Sequence, residues 1–131
     1  MLDNVRVPVN NVTLGEGRGF EIAHGRLAPG RIHHCMRSIG QAQTCALDYG
    51  APRFPISSHF GRKLADHGRV REDVAPSYVE IQMARLLGLR AADAIDSVGN
   101  KAARDLVAAI KIVAPRMEQT VADRTIQAHG E

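Results

Sequence analysis

Apolar residues recur at steps of three and four through most of this chain, and that periodicity constrains its fold more than any other feature. The first stripe reads Ile32, Cys35, Met36, Ile39, Ala42, Ala46 and Tyr49. From about Arg71 to Val98, Val74, Tyr78, Ile81, Gly88, Ala91 or Ala92, and Ile95 mark one face, while Val79, Met83, Leu86 and Leu87 mark a second. From about Lys101 to Ala128 the stripe is Ala103, Leu106, Ile110, Val113, Met117 and Val121. The punctuation agrees with three long helices. Ile22, Ala23 and Leu27 begin a short helix, and Pro29 suits the first turn of a longer one. Pro52 and Pro55 end that helix because proline has no N–H to donate. Pro76 stands near the start of the second helix, Gly99-Asn100 caps its end, and Pro115 predicts a kink in the third. Short connections make neighbours antiparallel, so the expected fold is all-α, an up-down bundle of three long helices. A helix apolar on two faces sits at the centre of a bundle or against another subunit.

Composition narrows the reading. The 131 residues are enough for one domain with a core, and 44% hydrophobic with 24% charged is globular rather than disordered. Aromatics are 4% with no Trp, so the core is aliphatic. Seventeen Lys and Arg against fourteen Asp and Glu leave a net charge of +3. That balance suits an anionic ligand such as a nucleotide or CoA phosphate. The basic residues are dispersed with no interleaved aromatics, so no nucleic acid partner is expected. Cys35 and Cys45 are ten residues apart in one helix, about 15 Å, too far for a disulfide. With no signal peptide and no long apolar run, the expectation is a cytoplasmic chain without a membrane segment.

Before the helices, Val5-Arg6-Val7-Pro8-Val9 and Val12-Thr13-Leu14 read as two short strands around Asn10-Asn11. A two-strand piece needs something else to pack on. Gly15, Gly17 and Gly19 form an elbow whose spacing is wrong for a dinucleotide fingerprint. His33-His34-Cys35 carries metal-ligand residue types, but helix neighbours point about 100° apart and cannot converge on one ion, so no metal is expected. Cys35 has no base beside it, and Ser57-Ser58-His59 are sequence neighbours rather than a catalytic triad.

Several motifs in order resemble the acyl-CoA dehydrogenase family. Val5-Arg6-Val7-Pro8-Val9-Asn10-Asn11-Val12-Thr13-Leu14-Gly15 is similar to the V-R-V-P-x-x-N-x-L-G that ends that family's middle β-domain. Gly17-Arg18-Gly19-Phe20 resembles the G-x-G-F leading into its C-terminal helical domain. Gly30-Arg31-Ile32-His33-His34-Cys35-Met36-Arg37 looks like the branch in which some members carry an extra kinase-like domain. Asn100 to Arg104, Ile110-Lys111 and Ala114-Pro115-Arg116-Met117 resemble the penultimate bundle helix, and Asp123, Arg124, Ile126, Gln127, His129 and Gly130 continue it. The resemblance places residues 1–16 at the end of the β-domain and 17–131 in a truncated C-terminal bundle.

That resemblance implies FAD-dependent removal of two hydrogens from an acyl-CoA thioester, hence a place in fatty acid metabolism. Arg31 matches the arginine near the CoA portion of the substrate. Phe60 and Gly61 match the back half of the flavin motif R-x-x-F-G. Gln127 and Gly130 match the I-Q-x-x-G-G-x-G loop near the adenine-diphosphate half of a neighbouring subunit's FAD. Three positions depart from the pattern: Ser57 stands at the flavin arginine, Gly68 at a usual glutamine, and Glu131 at the second glycine. Ala51 to His59 reads as a drifted segment. The glutamate base of this branch is expected after the glycine pair, so no catalytic residue is carried over, and the isolated chain is expected to be inactive. The remaining family domains, or further copies in a homo-oligomer, are the implied partners. The competing reading is a non-catalytic helical oligomerisation or interaction module.

Overall fold

The computed structural model describes residues 1–50 and 68–129 of the chain. Its order is a single 3-10 turn at Val9–Asn11, then α1 (Gly19–Gly50), α2 (Gly68–Val98) and α3 (Arg104–His129). Each helix packs on both others, which makes the section of the bundle triangular. Asn100, after α2, reaches Gly25 near the start of α1, while Ser77 near the start of α2 reaches Arg124 near the end of α3. α2 therefore runs antiparallel to both α1 and α3.

The expected strands are absent: no strand occurs among the described residues. Residues 1–20 are exposed, and the one regular element before α1 is the turn closed by Asn11 N–H to the Pro8 carbonyl (3.0 Å) and Val12 N–H to the Val9 carbonyl (3.1 Å). A strand needs a neighbour for its backbone groups, and none of the described residues lies beside it. The elbow stands as expected. Gly15 and Gly17 have φ of +97° and +75°, where a side chain would be strained.

α1 is continuous from Gly19 and carries Pro29 in its interior, where the sequence suggests a short helix followed by a longer one. Pro29 leaves the Gly25 carbonyl without its i+4 donor. The side-chain amide of Asn100 donates to that carbonyl instead, at 3.3 Å. α2 begins earlier than expected, so Pro76 lies well inside it. Immediately after that proline, the Ser77 hydroxyl donates to the Asp73 carbonyl at 2.7 Å. Gly99 closes α2 with φ +82°, its N–H on the Ile95 carbonyl at 2.9 Å.

The core consists of Cys35, Ile39 and Ala42 from α1, Ile81, Ala84 and Ala91 from α2, and Ile110, Ala114, Met117 and Val121 from α3. On α3 the buried stripe passes through Val107 and Ala114, one residue later than the expected Leu106 and Val113. On α2, Tyr78 is exposed and Ser77 takes the inward position. Both shifts arise because each helix faces two neighbours, which widens its buried arc. Small residues line the contact. At Gly88 an added Cβ would stand 3.2 Å from the Met36 sulfur and 3.9 Å from Ile110. The protein is thus expected to lose roughly 1–3 kcal/mol on Gly88→Leu, through overpacking of a close helix contact. Urea unfolding followed by circular dichroism reads this; an unchanged midpoint would show that the helices separate at no cost.

Candidate functional site

Arg31 lies on α1 beside the buried stripe, half-buried, with no hydrogen-bond or ion-pair partner among the described residues. Ile32 next to it packs against the core, so the backbone there is fixed. The arginine is therefore a charge held on a rigid element and available to an anion. Gln127 is exposed near the end of α3, and its amide likewise has no partner among the described residues. Because α1 and α3 run parallel, the two positions lie towards opposite ends of the bundle, roughly 25 Å apart from the helical rise. No single small ligand spans them within one chain. Phe60, Gly61 and Gly130 lie outside the described residues, as do Ser57 and Glu131; Gly68 is the exposed first residue of α2.

Arg124 has a different task. Its guanidinium grips Glu80 with two hydrogen bonds, at 2.8 and 3.2 Å, and also donates to the Ser77 hydroxyl at 2.9 Å. The charge is spent tying α3 to α2 rather than offered to a phosphate. Arg85 similarly donates to the Gln43 side chain, joining α2 to α1. Neither tie is legible in the sequence, since the partners are more than forty residues apart and no local pattern pairs them.

The histidines diverge as helix geometry requires. His33 and His34 are exposed with rings 6.0 Å apart and nearly perpendicular. No group of three or more potential metal ligands occurs among the described residues. Cys35 is 1% exposed in the core, and burial pushes its thiol above the usual range, only partly opposed by the Lys111 charge. A thiol held protonated is a poor nucleophile. Both cysteines are free. Alkylation at pH 8 is expected to modify half-buried Cys45 first, with Cys35 reacting only on unfolding; mass mapping of the labelled peptides checks the order. Because the folded pKa is raised, the stabilisation from a neutral Cys35 is complete below the unfolded thiol pKa and fades as pH rises towards the folded one.

Arg116, Gln119, Asp123 and Ile126 of α3 line an open groove. Arg31 on α1 and Gln127 near the end of α3 are thus separate surface groups of one helical bundle. The comparisons give it a family. Residues 17–131 match the family model for the acyl-CoA dehydrogenase C-terminal domain, and the chain belongs to that family.

Acyl-CoA dehydrogenase family member 11 of Rattus norvegicus is 50% identical over 98% of this chain, which covers 16% of that protein. A probable acyl-CoA dehydrogenase of Mycobacterium tuberculosis is 54% identical over 97% of the chain, which covers 31% of it. A solved Mycobacterium abscessus structure assigned to the acyl-CoA dehydrogenases superposes with a TM-score of 0.81 at 46% identity, covering 98% of this chain and 31% of that one. The chain thus spans less than a third of the length of these relatives.

Proposed function

We propose that this chain serves in FAD-dependent α,β-dehydrogenation of an acyl-CoA thioester, as the C-terminal helical segment of a larger catalytic unit. The observation that carries the reading is the family match over residues 17–131, joined to a free Arg31 on a rigid helix. In this proposal Arg31 faces a phosphate of CoA, where a charge-assisted contact exceeds a neutral hydrogen bond. Gln127 faces the adenine half of FAD held mainly by a neighbouring subunit, with Phe60, Gly61 and Gly130 completing that edge. The residues on hand fit the adenine end better than the flavin ring. An exposed amide can donate to and accept from a nucleotide, whereas the carbonyl end of α3 disfavours a diphosphate, so the side chain rather than the helix end makes the contact. FAD, when bound, accepts the hydride from the β-carbon of the thioester. The base that takes the α-proton is not assigned to any residue of this chain.

Residues 1–16 form the end of a preceding β-domain in this reading, and 17–131 the bundle. The partners are acyl-CoA together with further copies of the chain or the other family domains on another polypeptide. No helix among the described residues is long and apolar enough to cross a membrane. Two free thiols suit a reducing compartment, and the cytoplasm is the proposed location. An interaction module without catalysis is the second reading, favoured by the apolar outer face of α2.

Incubated with FAD and desalted, the isolated chain is expected to show no flavin absorbance and no acyl-CoA-dependent reduction of an electron acceptor above a flavin-only blank. Retained flavin with turnover would contradict the assignment of base and ring contacts to residues elsewhere. Supplied with the remaining family domains, the bundle is expected to support that reduction; no activity in that complete unit would favour the interaction module. In that unit, Arg31→Ala is expected to raise KM for acyl-CoA about tenfold with kcat little changed, since it removes a contact made equally in ground and transition states. An unchanged KM removes Arg31 from the CoA site.

A further inference from the structure

The first turns of α1 stand clear of the core. Residues 19–27 are all exposed, and Cys35 is the first fully buried residue of the helix. The composition of this arm is poor for a helix, since Gly19, Gly25, Pro29 and Gly30 are among the weakest helix formers. A short stretch without core contact does not hold a helix by backbone preference alone. Pro29 would serve well as the first residue of a shorter helix, with Gly19–Ala28 unwound. Within the arm, Arg18 pairs with Glu21 at 2.6 Å and Phe20 meets His24 edge to face at 5.1 Å, contacts exposed to water and therefore weak. Asn100, from the turn between α2 and α3, ties the arm to the bundle. It donates to the Gly25 carbonyl, the one that Pro29 leaves without a donor. The other end of the same amide, Oδ1, is buried without a partner. A buried acceptor left unsatisfied costs stability, so the donor contact is what holds the amide in that orientation.

We infer that Asn100 is a positioning residue for Arg31, because its bond to the Gly25 carbonyl keeps Gly19–Ala28 helical through Pro29. Side chains on a helix lean back towards its N-terminus, so Arg31 lies over the turn that contains Leu27 and Ala28. Arg31 and Ala28 are both half-buried, in keeping with that placement. With the arm unwound, Arg31 would stand in the first turn of a helix beginning at Pro29. Its stem would lose its floor, and its charge would sit at the positive end of the helix dipole. Asn100 acts through Arg31 and touches no ligand itself. The inference rests on the CoA contact proposed above and adds the residue that fixes its geometry.

Asn100→Asp tests it, because the donor is removed while the side chain keeps its shape, and aspartate suits a turn as well as asparagine does. In the 131-residue chain, hydrogen exchange of peptides from Gly19–Ala28 is expected to quicken about fivefold, with the core amides of α2 and α3 unchanged. Adding Pro29→Ala supplies a backbone donor to Gly25 and is expected to restore slow exchange. In the complete catalytic unit, Asn100→Asp is expected to raise KM for acyl-CoA about threefold with kcat little changed, and to add nothing in an Arg31→Ala background.

Unchanged exchange in Asn100→Asp, or no rescue by Pro29→Ala, would overturn the tie. Faster exchange with an unchanged KM, beside a raised KM for Arg31→Ala, would overturn the positioning role and leave the CoA contact standing. A further rise in KM when Asn100→Asp joins Arg31→Ala would show that Asn100 does not act through Arg31. An unchanged KM for Arg31→Ala would overturn the CoA contact and the positioning role with it.

Discussion

The close approach of α2 to its two neighbours is the contact on which the rest of the bundle depends. Gly88 has only hydrogen where any other residue would meet the Met36 sulfur, and Ala84 and Ala91, both fully buried, sit one turn to each side. Small residues on one helix let the larger Ile39 and Ile110 of the others fill the space between the axes. The chain has no tryptophan, and among the described residues Phe20 and Tyr78 are exposed rather than packed between the helices. Dispersion among many short contacts replaces what a few large rings would supply.

Polar ties then hold the helices at fixed heights. Arg124 clamps Glu80 and Ser77 at one end of the α2–α3 contact, and Asn100 reaches the Gly25 carbonyl at the other end of the bundle. These bonds cross between elements, so they resist sliding, which an aliphatic interface resists poorly. The Asn100 bond also serves the carbonyl that Pro29 leaves without a partner, which is why α1 continues through that proline. The consequence for function is geometric. A continuous α1 holds Arg31 on the same rigid rod as the core residues Cys35 and Ile39.

The polar groups of the bundle divide between its helix contacts and its surface. Its core is aliphatic, with Ser77 as the one buried polar residue among the described residues, and its hydroxyl is bonded, while the Asn100 Oδ1 is buried without a partner. The groups free to meet a ligand lie at the edges, on different helices and at different ends. The chain spans less than a third of the length of the relatives compared with it.

Periodicity determined the all-α class, the three helices and most of the core, including Cys35, Ile39, Ile81, Ile110 and Met117, and the Gly99-Asn100 pair marked the cap of α2. Those features are local: backbone preference and a repeat of 3.6 residues act within a few turns of one helix. Motifs in order likewise made the family legible, because it is a property of the string. What the string did not reveal depends on distant neighbours. Val5–Val9 has strand-forming residues and no strand, since pairing needs a second segment. The α3 stripe moved from Val113 to Ala114 because two helices rather than one press on it. Pro29 reads as a helix start until Asn100, more than seventy residues later, supplies the missing donor. Arg124 belongs to a stretch that matches the family's penultimate helix, yet only the tertiary structure shows its charge committed to Glu80. Sequence fixes which groups a helix carries; which of them remain free is decided when the helices meet, because a hydrogen bond or an ion pair belongs to two residues at once.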